Sequence, residues 1–144
     1  MATTYKHVLV ATDMHHDDLP VVKKGLGLMK RNGARLTVAT VVPNVPYYMA
    51  SGLSSVSDIE EQLEGDSREK LDAIRSKINV DADYHLLHGS PKLEIVRLAK
   101  EIGADVIVVG SHGQHGVQRL LGSTATGILH RSNCDVMVVR IADE

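Results

Sequence analysis

Two clusters of small residues carry the groups best suited to chemistry. One is Gly110-Ser111-His112-Gly113-Gln114-His115-Gly116 and the other is Gly122-Ser123-Thr124. Glycines let backbone N–H groups come close to an anion. A helix that begins just beyond them adds unpaired N–H donors and a favourable dipole. The hydroxyls of Ser123 and Thr124 supply further donors for phosphate oxygens, so the arrangement suits a polyphosphate. The same residues also read as a glycine-rich turn with an N-cap serine and no ligand, and spacing alone leaves both readings open. The pattern is not a P-loop, because no lysine follows Lys100. Nor is it the dinucleotide fingerprint, which follows a first strand. Here the first strand ends in Ala11-Thr12-Asp13, without glycine. Asp13 could accept hydrogen bonds from a ribose or an adenine amine, hold a metal, or cap the first helix.

Other constellations point less far. His15-His16-Asp17-Asp18 are adjacent and cannot all face one point at a helix start, so they read as exposed, with the acids favouring the helix N-terminus. His112 and His115 lie three apart, and a zinc site would want further ligands. No metal is assigned to protein side chains, and His85, His88 and His130 read as structural or exposed. The string His112-Gly113-Gln114-His115 matches the nucleotidylyl transferase signature only in part, and follows the wrong strand. Gly-x-Ser-x-Gly is absent. Asp13 is the one acid at the expected binding edge, so an efficient hydrolase would lack an obvious general base. Cys134 is the single cysteine and reads as a small buried residue in a reducing cytoplasm.

The elements that must position these residues alternate along the chain. His7–Ala11, Leu36–Val42, Asp83–His88, Asp105–Val109 and Val136–Arg140 are strand-like, rich in β-branched residues. Between them run helical patterns. Leu19, Val22, Leu26 and Met29 form the first, closed by Gly33. Ile59, Leu63, Leu71, Ile74 and Ile78 form the second, with Ser57 and Glu60 at capping-box spacing and Gly65 weakening its middle. Ile95, Leu98, Ala99 and Ile102 form the third, opened by Ser90-Pro91 and ended by Gly103. Thr124, Ile128 and Leu129 form the fourth. The uninterrupted run Val106–Val109 predicts a central strand covered on both faces. Alternation of this kind predicts an α/β fold, an open five-stranded parallel sheet with helices on both faces, as a single domain over residues 1–144. Ligands in such sheets bind beyond the carboxyl ends of the strands, here the first, second and fourth.

Composition narrows the partners. Sixteen basic against eighteen acidic residues give a net charge of −2, which argues against a broad electrostatic grip on nucleic acid. No Trp, no Phe and four Tyr make a poor stacking platform for single strands. Apolar runs are far shorter than the ~20 residues of a membrane helix. The chain enters a strand-like run almost at once, so no signal peptide is expected.

Taken together, several motifs resemble one family. They are Val8-Leu9-Val10-Ala11-Thr12-Asp13, Gly89-Ser90-Pro91, Gly110-Ser111-His112-Gly113, Leu120-Leu121-Gly122-Ser123-Thr124-Ala125 and Cys134-Asp135-Val136-Met137-Val138-Val139-Arg140. Over nearly the whole length the chain resembles the universal stress protein (UspA) family, small single-domain bacterial kind. Val42-Pro43-Asn44-Val45-Pro46-Tyr47-Tyr48 looks most like the enterobacterial F and G type. The resemblance implies strand order 3-2-1-4-5, a Rossmann-like layout akin to the adenine nucleotide alpha hydrolases. It implies a homodimer through the last strand (Val136 to Ile141), or a tetramer of such dimers. It also implies binding of ATP or AMP, with Mg2+ or Mn2+ held by the phosphates. The implied nucleotide-binding residues are Ala11, Thr12, Asp13, Val41, Gly110, Ser111, His112, Gly113, Gly122, Ser123 and Thr124. Only eight residues, Gln114 to Leu121, separate Gly113 from Gly122, one fewer than in the commonest family pattern.

The expected function is that of a cytoplasmic stress-response protein, binding an adenine nucleotide as a regulatory or protective factor. Two rivals stand beside it. One is a slow ATPase or self-phosphorylating enzyme with Ser123 or Thr124 near the terminal phosphate. The other is an interaction protein that has lost nucleotide binding. Tyr47-Tyr48-Met49 reads either as a contact surface for a protein partner or as a lid over the sheet edge.

Overall fold

The computed structural model describes residues 4–12, 19–42, 44, 55–111 and 122–141. Asp13, the His15–Asp18 run, Tyr47-Tyr48-Met49 and the His112–Leu121 connection therefore lie outside the described residues. The elements are β1 (His7–Thr12), α1 (Leu19–Asn32), β2 (Arg35–Val42), α2 (Val56–Ile78), β3 (Asp83–His88), α3 (Pro91–Ile102), β4 (Val106–Gly110), α4 (Ser123–Arg131) and β5 (Asp135–Val139). All four strand pairings are parallel. The strand order is β3-β2-β1-β4-β5, as the resemblance implies. No helix among the described residues is long and apolar enough to cross a membrane.

Period-two alternation splits the central strands between two cores. Val8, Val10, Leu36, Val38, Val106 and Val108 pack with Val21, Val22, Leu28, Leu71 and Ile74 of α1 and α2. Leu9, Ala11, Ala39, Val41, Ile107 and Val109 pack with Ile95, Leu98, Ala99, Ala125 and Ile128 of α3 and α4. The first two crossovers run outward from β1 through β2, and the last two return through β4. With right-handed connections, this reversal places one helix pair on each face.

Local details differ from the pattern in instructive ways. The capping box of α2 is Ser55 with Asp58, two residues before the Ser57/Glu60 pair. Both pairs have the same spacing, and only the position of the first turn decides between them. In α1 the buried face is Val21, Val22, Gly25 and Leu28, with Leu26 and Met29 half-buried. In α4 the buried face is Ala125, Gly127 and Ile128, while Leu129 is 43% exposed. α3 lies close at Gly127, where a Cβ would sit 2.5 Å from the Lys92 side chain. Ser90 holds the N-cap position of α3 without a side-chain hydrogen bond, and Pro91 opens the helix. Gly33 and Gly103 end α1 and α3 with φ of 63° and 71°, left-handed conformations that favour glycine. Cys134 is half-buried, not buried. Its thiol pKa is raised, first by desolvation and then by Asp135 and Asp105, which disfavours a reactive thiolate.

Candidate functional site

Parallel pairing brings the carboxyl ends of all five strands to one edge. The chain order reverses between β1 and β4, the place where ligands of such sheets bind. The β1–β2 ladder runs to Thr12↔Thr40 and the β4–β5 ladder to Gly110↔Val139. The β1–β4 ladder stops at Val10↔Val108. Ala11-Thr12 and Val109-Gly110 thus extend past the ladder that joins their strands, at the switch point itself.

Two threonines stitch the β1 side of this edge. The Thr12 hydroxyl donates to the Ala39 carbonyl at 3.2 Å. The Thr40 hydroxyl donates to the Thr12 carbonyl at 3.3 Å. The end of β1 is therefore held by side chains as well as by its ladder, and the Thr12 hydroxyl proton is used inside the sheet. Ala11 and Val41 are buried against the α3–α4 core and act as wall, not as exposed contacts.

The β4 side carries the two glycine clusters. β4 ends at Gly110, and Ser111 follows it directly. Across the 112–121 connection, the Gly122 N–H donates to the Ser111 carbonyl at 3.1 Å. The start of the first cluster, at Ser111, therefore meets the start of the second, at Gly122. Gly122, not a serine, is the N-cap of α4, and having no side chain it makes no side-chain cap bond of its own. The first intrahelical bond runs from the Thr126 N–H to the Gly122 carbonyl, at 3.0 Å. The N–H groups of Ser123, Thr124 and Ala125 thus precede the first intrahelical bond, the usual condition for anion binding at a helix start. Ser123 is exposed and Thr124 half-buried in this first turn.

Of the expected site residues, the structure brings Gly110, Ser111, Gly122, Ser123 and Thr124 to one corner. Ala11, Thr12 and Val41 end the neighbouring strands of the same edge. Asp13, His112 and Gly113 lie outside the described residues. Sequence reasoning missed Ile141, whose N–H donates to the Ser111 hydroxyl oxygen at 3.0 Å. It also missed Thr40, which is fully buried. A backbone donor thirty residues from its acceptor leaves no mark in the sequence.

At the opposite edge stands a second polar group. The Asp105 carboxylate accepts the N–H groups of Lys6 at 2.8 Å and His7 at 3.0 Å, anchoring the start of β1. Burial alone would raise its pKa, but the backbone donors of His7 and Lys6 outweigh it and the net shift is downward. His7 is 5% exposed, its ring Nε2 2.7 Å from the Thr37 hydroxyl. Among the described residues, no three or more His, Cys, Asp and Glu cluster as metal ligands.

Comparison with known proteins agrees with this geometry. Residues 4–140 match the family model described as the universal stress protein family. Universal stress protein A homolog 2 of Coxiella burnetii is 37% identical over 140 residues, covering 95% of this chain and 96% of its own. Universal stress protein UspA from Lactobacillus plantarum superposes with TM-score 0.79 at 23% identity, over 96% of this chain and 100% of its own. A universal stress protein solved in complex with cAMP superposes with TM-score 0.74 at 25% identity, over 97% and 100%. One from Archaeoglobus fulgidus in complex with dAMP does so with TM-score 0.65 at 23% identity, over 94% and 98%. With the sheet order, the chain-long match and these relatives in agreement, the chain belongs to the universal stress protein family.

Proposed function

We propose that this chain is a cytoplasmic stress-response protein that binds ATP or another adenine nucleotide at the β1–β4 carboxyl edge. In this reading the base and ribose lie against the ends of β1 and β2, by Ala11, Thr12, Asp13 and Val41. The phosphates take the α4 N-terminus, with Gly110, His112, Gly113, Gly122, Ser123 and Thr124 around them. One observation carries the reading. The Gly122–Ser111 hydrogen bond holds a helix start whose N-cap is a glycine against the end of β4. The relatives solved in complex with cAMP and dAMP support an adenine nucleotide as the ligand class. A divalent cation, Mg2+ or Mn2+, would ride on the phosphates and neutralise their charge.

The same proposal includes a second copy of the chain. Of the two edge strands, β3 carries Asp83, His85 and His88, charges and polar groups that blunt an edge. Between Asp135 and Arg140, β5 carries only Val136, Met137, Val138 and Val139, and the first three are half-buried. Pairing of β5 with its counterpart would cover them.

Equilibrium binding of ATP with Mg2+ to the purified chain tests the site. Binding is expected, and no measurable affinity at millimolar nucleotide overturns the reading. Gly122→Lys puts a long side chain at the helix start and should weaken binding by about tenfold or more, the effect of losing ~1.4 kcal/mol. Release of inorganic phosphate by the chain above that variant would mark a slow ATPase instead of a binder.

A further inference from the structure

Ser111 joins three stretches of chain through three different groups. Its N–H donates to the Val139 carbonyl at 2.9 Å, and its carbonyl accepts the Gly122 N–H at 3.1 Å. Its hydroxyl oxygen accepts the Ile141 N–H at 3.0 Å. The β5 ladder ends at Val139, so this third bond carries the hold two residues beyond the sheet. The Ile141 side chain then lies on Gly110. A Cβ at that glycine would stand 2.5 Å from Ile141 Cδ1 and 3.2 Å from Val21 Cγ2. Ile141 is thus seated twice, by its backbone on Ser111 and by its side chain on the residue before it.

We propose that Ser111 is a positioning residue whose hydroxyl ties the segment after β5 to the base of the nucleotide site, so that the seat of Ile141 sets how firmly the start of α4 is held. The functional consequence rests on the nucleotide reading above. The Ser111 hydroxyl oxygen accepts from the tail, which fixes the side chain's orientation. The Ser111 carbonyl, in turn, holds Gly122. Anything that tightens one of these bonds restrains the other through the same residue. Linkage is reciprocal, so a nucleotide that firms the α4 start also firms the tail, and unseating the tail weakens the nucleotide.

Amide hydrogen exchange followed by NMR tests the linkage on the full chain without nucleotide. Ile141→Pro deletes the donor and leaves Ser111 intact, Ser111→Ala deletes the acceptor, and Ser111→Thr restores a hydroxyl. Loss of one such bond corresponds to about a fivefold effect. Exchange at Gly122 should therefore quicken about fivefold in Ile141→Pro and Ser111→Ala and stay slow in Ser111→Thr. The amide of Val38, in the middle of the sheet, should not change. Unaltered exchange at Gly122 in Ile141→Pro overturns the proposal, and that variant decides alone if Ser111→Ala does not fold. A second arm measures ATP–Mg2+ affinity, expected to weaken about fivefold in Ile141→Pro. In the wild type, ATP should slow exchange at the Ile141 amide. Equal affinity in the two chains also overturns the proposal. A wild type that binds no ATP overturns the nucleotide reading, while the exchange arm still decides the linkage.

Discussion

Single residues at the two ends of the sheet do different work. At the carboxyl edge the Ser111 carbonyl holds the Gly122 N–H at the start of α4, the corner to which the proposed nucleotide site assigns the phosphates. At the opposite edge His7 is a structural group. Burial lowers its pKa below the ordinary imidazole value of 6.5, and Arg35 pushes it the same way. A hydrogen bond with the Ile102 backbone, Asp83 and Asp105 oppose the shift without reversing it. The fold therefore prefers neutral His7, while the unfolded chain takes up a proton near pH 6.5. The stability this residue contributes is complete above that pH and is lost as pH falls from there toward the lower, folded-state value. His7→Gln keeps a partner for Thr37 but does not titrate. Its urea midpoint should fall less than the wild type's between pH 7.5 and pH 5.5. Equal falls in the two proteins would remove His7 as a source of acid sensitivity.

Elements are held by how closely they approach, and two helical glycines separate propensity from packing. Gly65 lies in α2 with nothing within 4 Å of a Cβ placed there. Ala should gain helix propensity freely at that position, about 0.5–1 kcal/mol. Gly25 lies in α1, where a Cβ would meet Val10 Cγ2 at 2.2 Å, in the buried core. Val10 is β-branched and fully buried, so it has no easy rotamer to yield. Overpacking costs about 1–3 kcal/mol, more than the propensity gain. Gly25→Ala should therefore lower the denaturation midpoint and Gly65→Ala should raise it. The same sign for both would mean that α1 does not lie as close to β1 as described.

Across the whole molecule, the sheet has two edges of unlike character. β3 intersperses Asp83, His85 and His88 among Tyr84, Leu86 and Leu87, whereas β5 is apolar from Val136 to Val139, and the proposed pairing uses the β5 edge. Sedimentation should therefore find a species of twice the 15.6 kDa chain mass. Val138→Lys places a charge in the middle of β5 and should shift the population to monomer with the circular dichroism of a folded sheet retained. A wild type that sediments as a monomer at micromolar concentration would rule out the β5 pairing.

How much of this could be read from the residues alone depends on the range of the cause. The five strands and four helices, the Gly33 and Gly103 ends, Pro91 at the start of α3 and the β3 span Asp83–His88 follow from local chemistry, periodicity and turn residues. The glycine clusters were visible too, because close backbone approach demands that residue type. What tertiary structure alone decided was which candidates act. Ser55 caps α2 in place of Ser57, because the helix begins at Val56 and both serines offer the same capping-box spacing. Ala125 and Ile128 face inward and Leu129 outward, and only the docked orientation of α4 selects which face that is. The Ile141–Ser111 tie joins a backbone donor to a side chain thirty positions away. Every non-proline residue carries such a donor, so only the folded path of the chain can select the one that pairs.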